Sequence, residues 1–140
     1  MCNFHDLLQN GTFLTPDNAR QKEYSVFKRN GEIHCHTGTQ LDMHEGNYDT
    51  LSGNVIFLIS DICDSISWLR GKGWINIGSK TTTPERGTFE EYLLSLRLQR
   101  GQSKLGRLGS FMSPLLAADG LNVADIEGGR PNKIRLKQGI

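Results

Sequence analysis

The chain has 140 residues, of which 36% are hydrophobic and 22% charged, and a formal net charge of +1. Those totals fit one domain, or one and a half, built on a single core, and they exclude a disordered chain. No apolar run approaches the roughly 20 residues that span a bilayer, and the near-neutral balance argues against a dedicated basic coat for nucleic acid.

The three cysteines stand at unpatterned spacing and make no disulfide framework. The opening MCNFHDLLQN lacks a basic segment followed by an apolar one, so no secretory signal is expected. The expectation is a reduced, soluble, cytoplasmic protein with no cofactor, more readily a binding protein than an enzyme. The charge is uneven along the chain. Residues 1–80 carry seven basic against nine acidic side chains, a net of −2, and residues 81–140 carry nine against six, a net of +3. From Arg97 onward there are eight basic and three acidic residues, so half of all the positive charge lies in the last third. A basic C-terminal face on a neutral protein fits a local contact surface.

In chain order, Asn3 to Gln9 has the look of a short helix closed by Asn10-Gly11, and Thr15-Pro16-Asp17 of a turn or helix start. Residues 22–37, KEYSVFKRNGEIHCHT, predict a β-hairpin, because Asn30-Gly31 is a favoured dipeptide for a two-residue turn. That turn sets a register pairing Arg29 with Glu32, Phe27 with His34 and Ser25 with His36. Alternation then gathers Tyr24, Val26, Ile33 and Cys35 on the other face.

His34-Cys35-His36, with Asp42 and His44 downstream, is the most metal-like pattern in the chain. A tetrahedral site wants ligands converging at about 2.0–2.3 Å. The register turns Cys35 away, leaving His34 and His36 with His44 or Asp42 as a third ligand. The His-x-His pair resembles the metal-binding pair of the HUH nucleases that nick single-stranded DNA. That resemblance implies a metal-dependent phosphodiesterase with Tyr92 as the helical nucleophile, although the rest of that family's motifs are absent. The plain alternative is two histidines on a half-exposed strand face, one of them stacked on Phe27.

Residues 38–53 are polar and punctuated by glycine, as loops are. The run Val55–Ile59 is too short to assign as strand or helix by periodicity. After it, Ser60 is the expected N-cap of a helix. Ile59, Ile62, Cys63, Ile66 and Leu69 form its buried stripe, Arg70 closes it and Gly71 stops it. Trp74 to Ile77 continues as a strand. The sequence Leu69-Arg70-Gly71-Lys72-Gly73-Trp74-Ile75 resembles a recognition helix running into a wing strand in small bacterial and phage regulators. The resemblance implies that the aromatic enters the core.

Gly78 to Gly87 is polar and Thr-rich, a linker or a long turn. It suggests a division into an N-terminal hairpin and helix region, 1–79, and a second unit, 84–140, unless the two form one continuous domain. Thr88 to Gln99 predicts a helix opened by a Thr88/Glu91 capping box, with Phe89, Tyr92, Leu93 and Leu96 inward and Arg97 and Arg100 near its C-terminal end. Ser103 can cap a short second helix. Pro114 cannot sit deep in a continuing helix, so a break near 109–113 is expected, with Ser113 as N-cap and Pro114 at the first position of a last helix, PLLAAD. Gly120 ends that helix. Residues 121–126 and 133–137 then form two strands around a turn-rich tip, with Ile134 and Leu136 inward and Lys133, Arg135 and Lys137 outward.

A helix from residue 88, a short helix, a turn, a helix to residue 119 and a hairpin over 121–137 make the order of a winged helix. The Leu-Leu-x-x-x-Gly-Leu ending at Leu115–Leu121 and the Gly129-Arg130-Pro131 tip resemble that family over about 50 residues. The fold class expected is α+β, with a winged-helix-like C-terminal half. The resemblance implies a DNA-binding regulator of the phage type. Double-stranded DNA would then lie beside Lys104, Arg107, Ser110 and Ser113 and against the wing residues Arg130, Lys133, Arg135 and Lys137. The last helix offers no Arg, Lys, Asn or Gln to read base edges, which shifts the contact toward the backbone. The alternative is a small interaction module or inhibitor that binds a partner protein. Alternating Lys and Arg on an edge strand also blocks edge-to-edge aggregation, with no ligand involved.

Overall fold

The computed structural model describes residues 11–14, 23–29, 31–37, 55–78, 84–99, 108–117, 120–129 and 132–140. Within them the chain is mixed α+β, with three helices and two small antiparallel sheets. The suggested helix over 3–9, the Thr15-Pro16-Asp17 turn, the 38–53 loop and the Ser103 cap lie outside the described residues.

The first sheet has the order β1-β2-β3-β4, formed by β1 (Gly11–Leu14), β2 (Glu23–Arg29), β3 (Glu32–Thr37) and β4 (Val55–Leu58). The β2–β3 hairpin has the expected register, with Arg29 opposite Glu32, Phe27 opposite His34 and Ser25 opposite His36. Gly31 has φ 81°, the left-handed value that such a turn demands and that glycine adopts without a steric penalty. Val26, Ile33 and Cys35 are buried together as alternation requires. The other face is covered as well: His34 is 1% exposed and Ser25 4%, so the half-exposed histidine face expected from the sequence is corrected. The apolar run that periodicity left open is a strand as far as Leu58, paired to β3 with Val55 opposite Cys35 and Leu58 opposite Glu32.

Helix α1 (Ile59–Leu69) follows β4 without a loop. Leu58, and not Ser60, is the cap residue, and its backbone N–H donates to Asp61 Oδ2 at 2.8 Å. Of the expected stripe Ile62, Ile66 and Leu69 are buried and Ile59 and Cys63 half-buried, and the buried face is joined by Ser65, whose hydroxyl donates to the Asp61 carbonyl at 2.6 Å. Cys63 is disulfide-bonded, which corrects the fully reduced expectation, while Cys35 is a buried cysteine outside any disulfide. Arg70 caps the helix, and Gly71, at φ 77°, turns the chain away.

Strand β5 (Ile75–Asn76) leads toward α2 (Phe89–Gln99). Thr88 Oγ1 accepts from the Glu91 N–H at 3.2 Å, while the Glu91 carboxylate takes the Gly87 N–H at 3.0 Å, one residue earlier than a strict capping box. Phe89 and Leu93 are buried, and Tyr92 stacks on Trp68 of α1 with ring centroids 4.6 Å apart. Arg97 does not simply sit at the helix end. Its guanidinium is folded inward and donates to the Ile56 carbonyl of β4 at 2.7 Å.

The chain next differs from the sequence-based expectation at α3 (Leu108–Leu116), a single helix that carries Pro114 inside it. The expected break at 109–113 is absent. Ser113 is an interior residue whose hydroxyl donates to the Gly109 carbonyl one turn back at 2.6 Å. Burial overrides the cost of the proline: Leu108, Met112, Leu115 and Leu116 are each no more than 2% exposed. Helix α3 ends at Leu116, short of the expected end at residue 119, and Gly120 lies in the turn beyond it, where a Cβ would collide with the Leu115 carbonyl oxygen.

The strands β6 (Ala124–Glu127) and β7 (Lys133–Leu136) close the chain, and with β5 they form the second sheet, in the order β5-β7-β6. Ile75 pairs with Ile134 and Asn76 with Lys133, so β7 is the middle strand and not the edge strand that an anti-aggregation role requires. One apolar cluster runs from Val26, Ile33 and Phe57 through the three helices to Ile134, crossing the suggested boundary at 79–84. No helix among the described residues is long and apolar enough to cross a membrane.

Candidate nucleic-acid interface

The inner face of the second sheet is fixed by its apolar residues. Ile134 is fully buried, Leu136 and Ile126 are partly buried against the core, and Ala124 is 2% exposed. A strand shows alternate side chains to opposite faces, so Lys133 and Arg135 of β7 point outward, as expected from the sequence. Asp125 lies opposite Arg135 in the register and Glu127 opposite Lys133.

These neighbours set the electrostatics of the face. Arg135 Nε is 3.6 Å from Asp125 Oδ2, and Lys137 Nζ is 3.9 Å from Asp125 Oδ1. Lys137 Nζ also donates to Asn122 Oδ1 at 2.8 Å. Asn122 sits at φ 58°, a left-handed conformation that asparagine tolerates better than most residues. All four groups are well exposed, so each pair contributes little to stability. Lys133, Arg135 and Lys137 against Asp125 and Glu127 leave the described face with a surplus of one positive charge.

Trp74 departs from what the resemblance to a wing entry implied. It does not enter the core. It is 37% exposed and lies under Arg135, whose guanidinium carbon is 4.3 Å from the ring centroid. An arginine on a tryptophan face at this distance is a cation–π pair, a modest attraction at an exposed site. The signal was present in Trp74-Ile75-Asn76-Ile77, where half-buried Ile75 and buried Ile77 alternate with exposed Trp74 and Asn76. Asn76 lies beside Lys133 in the register, so an amide, an indole, a guanidinium and an ammonium share one surface.

The other expected contacts are distributed differently. Ser110 is exposed on α3. Ser113, expected at the groove-facing side, is 2% exposed and bonded within its own helix, so it presents nothing to a ligand. Lys104, Arg107 and Arg130 lie outside the described residues.

For the metal alternative, His34 is buried, with Nε2 3.5 Å from Glu32 Oε1. His44, Asp42 and the side chain of His36 lie outside what the structure describes. Among the described residues no three His, Cys, Asp or Glu side chains gather as a metal would need. The Tyr92 hydroxyl donates to the Asp64 carbonyl at 3.1 Å, a packing role between α2 and α1.

Glu90 is a buried carboxylate that sequence reasoning missed. It is 1% exposed and accepts the backbone N–H groups of Leu108 and Gly109 at 3.0 and 2.9 Å. It therefore supplies negative charge to the N-terminus of α3, where the helix dipole favours an anion. The Glu90 N–H in turn donates to the Ile77 carbonyl at 2.9 Å, and the Ile77 N–H to the Asn132 carbonyl at 2.9 Å. This chain of bonds runs from α3 through α2 to the strand beside Trp74, which fixes the sheet against the helices.

Comparison with known proteins returns no match, whether to a protein-family model, a curated protein or a solved structure.

Proposed function

We propose that the chain is a DNA-binding regulator whose C-terminal part is a winged-helix-like unit, and that it contacts DNA through the outer face of the β5-β7-β6 sheet. The observation that carries this reading is the grouping of Lys133, Arg135 and Lys137 with exposed Trp74 and Asn76 around the middle strand. The order α1-β5-α2-α3-β6-β7, with β5 paired to β7, supports the winged-helix comparison and extends its first helix back to Ile59.

In this reading α3 is a structural helix, because Ser110 is the exposed member of its described side chains. Contact then falls on the strands and favours backbone over base-edge recognition. A mobility-shift series at rising salt tests the proposal. The triple variant Lys133→Ala, Arg135→Ala, Lys137→Ala is expected to lose most of the shift at low salt while keeping its circular dichroism spectrum. The salt slope should shrink with it, because each phosphate contact releases counterions. An unchanged shift in the triple variant removes this face from the site.

One observation favours a second reading, a protein-interaction module. Asp125 and Glu127 lie among the cations, and a mixed-charge face with an exposed Trp and Arg also suits a protein partner. That reading is preferred if no nucleic acid binds at low salt and a stoichiometric protein partner co-purifies.

A further inference from the structure

We infer that the DNA taken by this face is single-stranded, with an unpaired base stacked on Trp74. The inference rests on the DNA-binding reading above and narrows its substrate class. Trp74 is held from two sides. Its backbone leaves Gly73, at φ 68°, and enters β5 at Ile75, which is locked opposite Ile134. Its ring carries the Arg135 guanidinium at 4.3 Å, and Arg135 is itself held by Asp125 at 3.6 Å. The Arg135 contact restricts the indole, and Trp74 keeps 37% exposure. A base that stacks on it meets a platform that loses little side-chain freedom.

Among the described residues this face is richer in stacking surface than in charge. Proteins that hold duplex DNA by its backbone neutralise on the order of 6–10 phosphates. The described outer face has three cations opposed by two carboxylates. What it offers in place of charge is a π surface, and the bases of a duplex have their π faces covered by their neighbours. Single strands leave those faces free, and stacking on aromatic side chains holds bases without regard to their sequence. Beside Trp74, exposed Asn76 supplies an amide and Lys133, its partner in the register, an ammonium for the adjoining phosphate.

The test is fluorescence anisotropy with two labelled probes, an oligothymidine of about 16 nucleotides and a fully paired hairpin of the same length. The proteins are the full chain, Trp74→Ala and Trp74→Phe. The expected result is tighter binding of oligothymidine than of the hairpin, weakened roughly 5- to 100-fold by Trp74→Ala and much less by Trp74→Phe. In a Trp68→Phe background, the remaining Trp74 emission should be quenched by oligothymidine, a readout independent of any loss at residue 74. Equal or tighter binding of the hairpin, unchanged oligothymidine binding by Trp74→Ala, or unquenched Trp74 emission on binding overturns the inference and leaves DNA binding standing. Binding of neither probe at low salt overturns both, and points to a protein partner for the same surface.

Discussion

A buried carboxylate with two backbone donors makes a sharp demand on its surroundings, and Glu90 meets it by closing the N-terminus of α3. Replacing Glu90 with Ala leaves the Leu108 and Gly109 N–H groups without this acceptor in a dry site. The expected cost is about 2–4 kcal/mol in a urea or thermal unfolding experiment. Glu90→Gln keeps an acceptor and loses the charge, so it should fall between wild type and Ala. A Glu90→Ala variant as stable as wild type would mean that α3 draws its stability from apolar burial alone. Local patterning carries no sign of this role: Glu90 stands in the first turn of α2, where an acidic residue is ordinarily a solvent-facing dipole partner. Its actual partners lie 18 and 19 residues away, a separation that short-range rules do not encode. Trp74 is the opposite case. Its outward position follows from strand alternation with Ile75 and Ile77, and only the resemblance to a wing entry pointed it inward.

At the scale of elements, local rules served where one interaction dominated. The Asn30-Gly31 turn set the hairpin register residue by residue, and Ile134 and Leu136 set the face of β7. They failed at α3, where the penalty for an interior proline was set against burial that exists only once α2 and the sheet are in place. They failed again in treating β7 as an edge, because its partner β5 is a two-residue strand 57 or more positions earlier in the chain. The β6–β7 pair also yields a test that separates the two kinds of partner. Asp125 draws on both Arg135 and Lys137, so Asp125→Asn raises the net charge of the face by one with almost no change of shape. Oligonucleotide binding at low salt should tighten about 2- to 10-fold, and the gain should fade as salt rises. Weaker binding in this variant would mean that the carboxylate holds Arg135 in a geometry the ligand needs, and that geometry outweighs charge.

The whole molecule is organised so that its helices and first sheet support the second sheet. Arg97 ties α2 to β4, Tyr92 and Trp68 tie α2 to α1, and the Ile77 backbone ties α2 to the residue before β7. The outer face of the β5-β7-β6 sheet is thus a surface on which an indole, an amide and three cations are presented together. The most direct measurement of its role is an amide proton–nitrogen correlation spectrum of the full chain, titrated with oligothymidine at low salt. Shifts concentrated in residues 74–76 and 133–137, together with the Trp74 indole N–H, are the predicted result. Shifts centred on the hairpin around His34, or on Ser110 with the outer sheet face silent, would contradict the account.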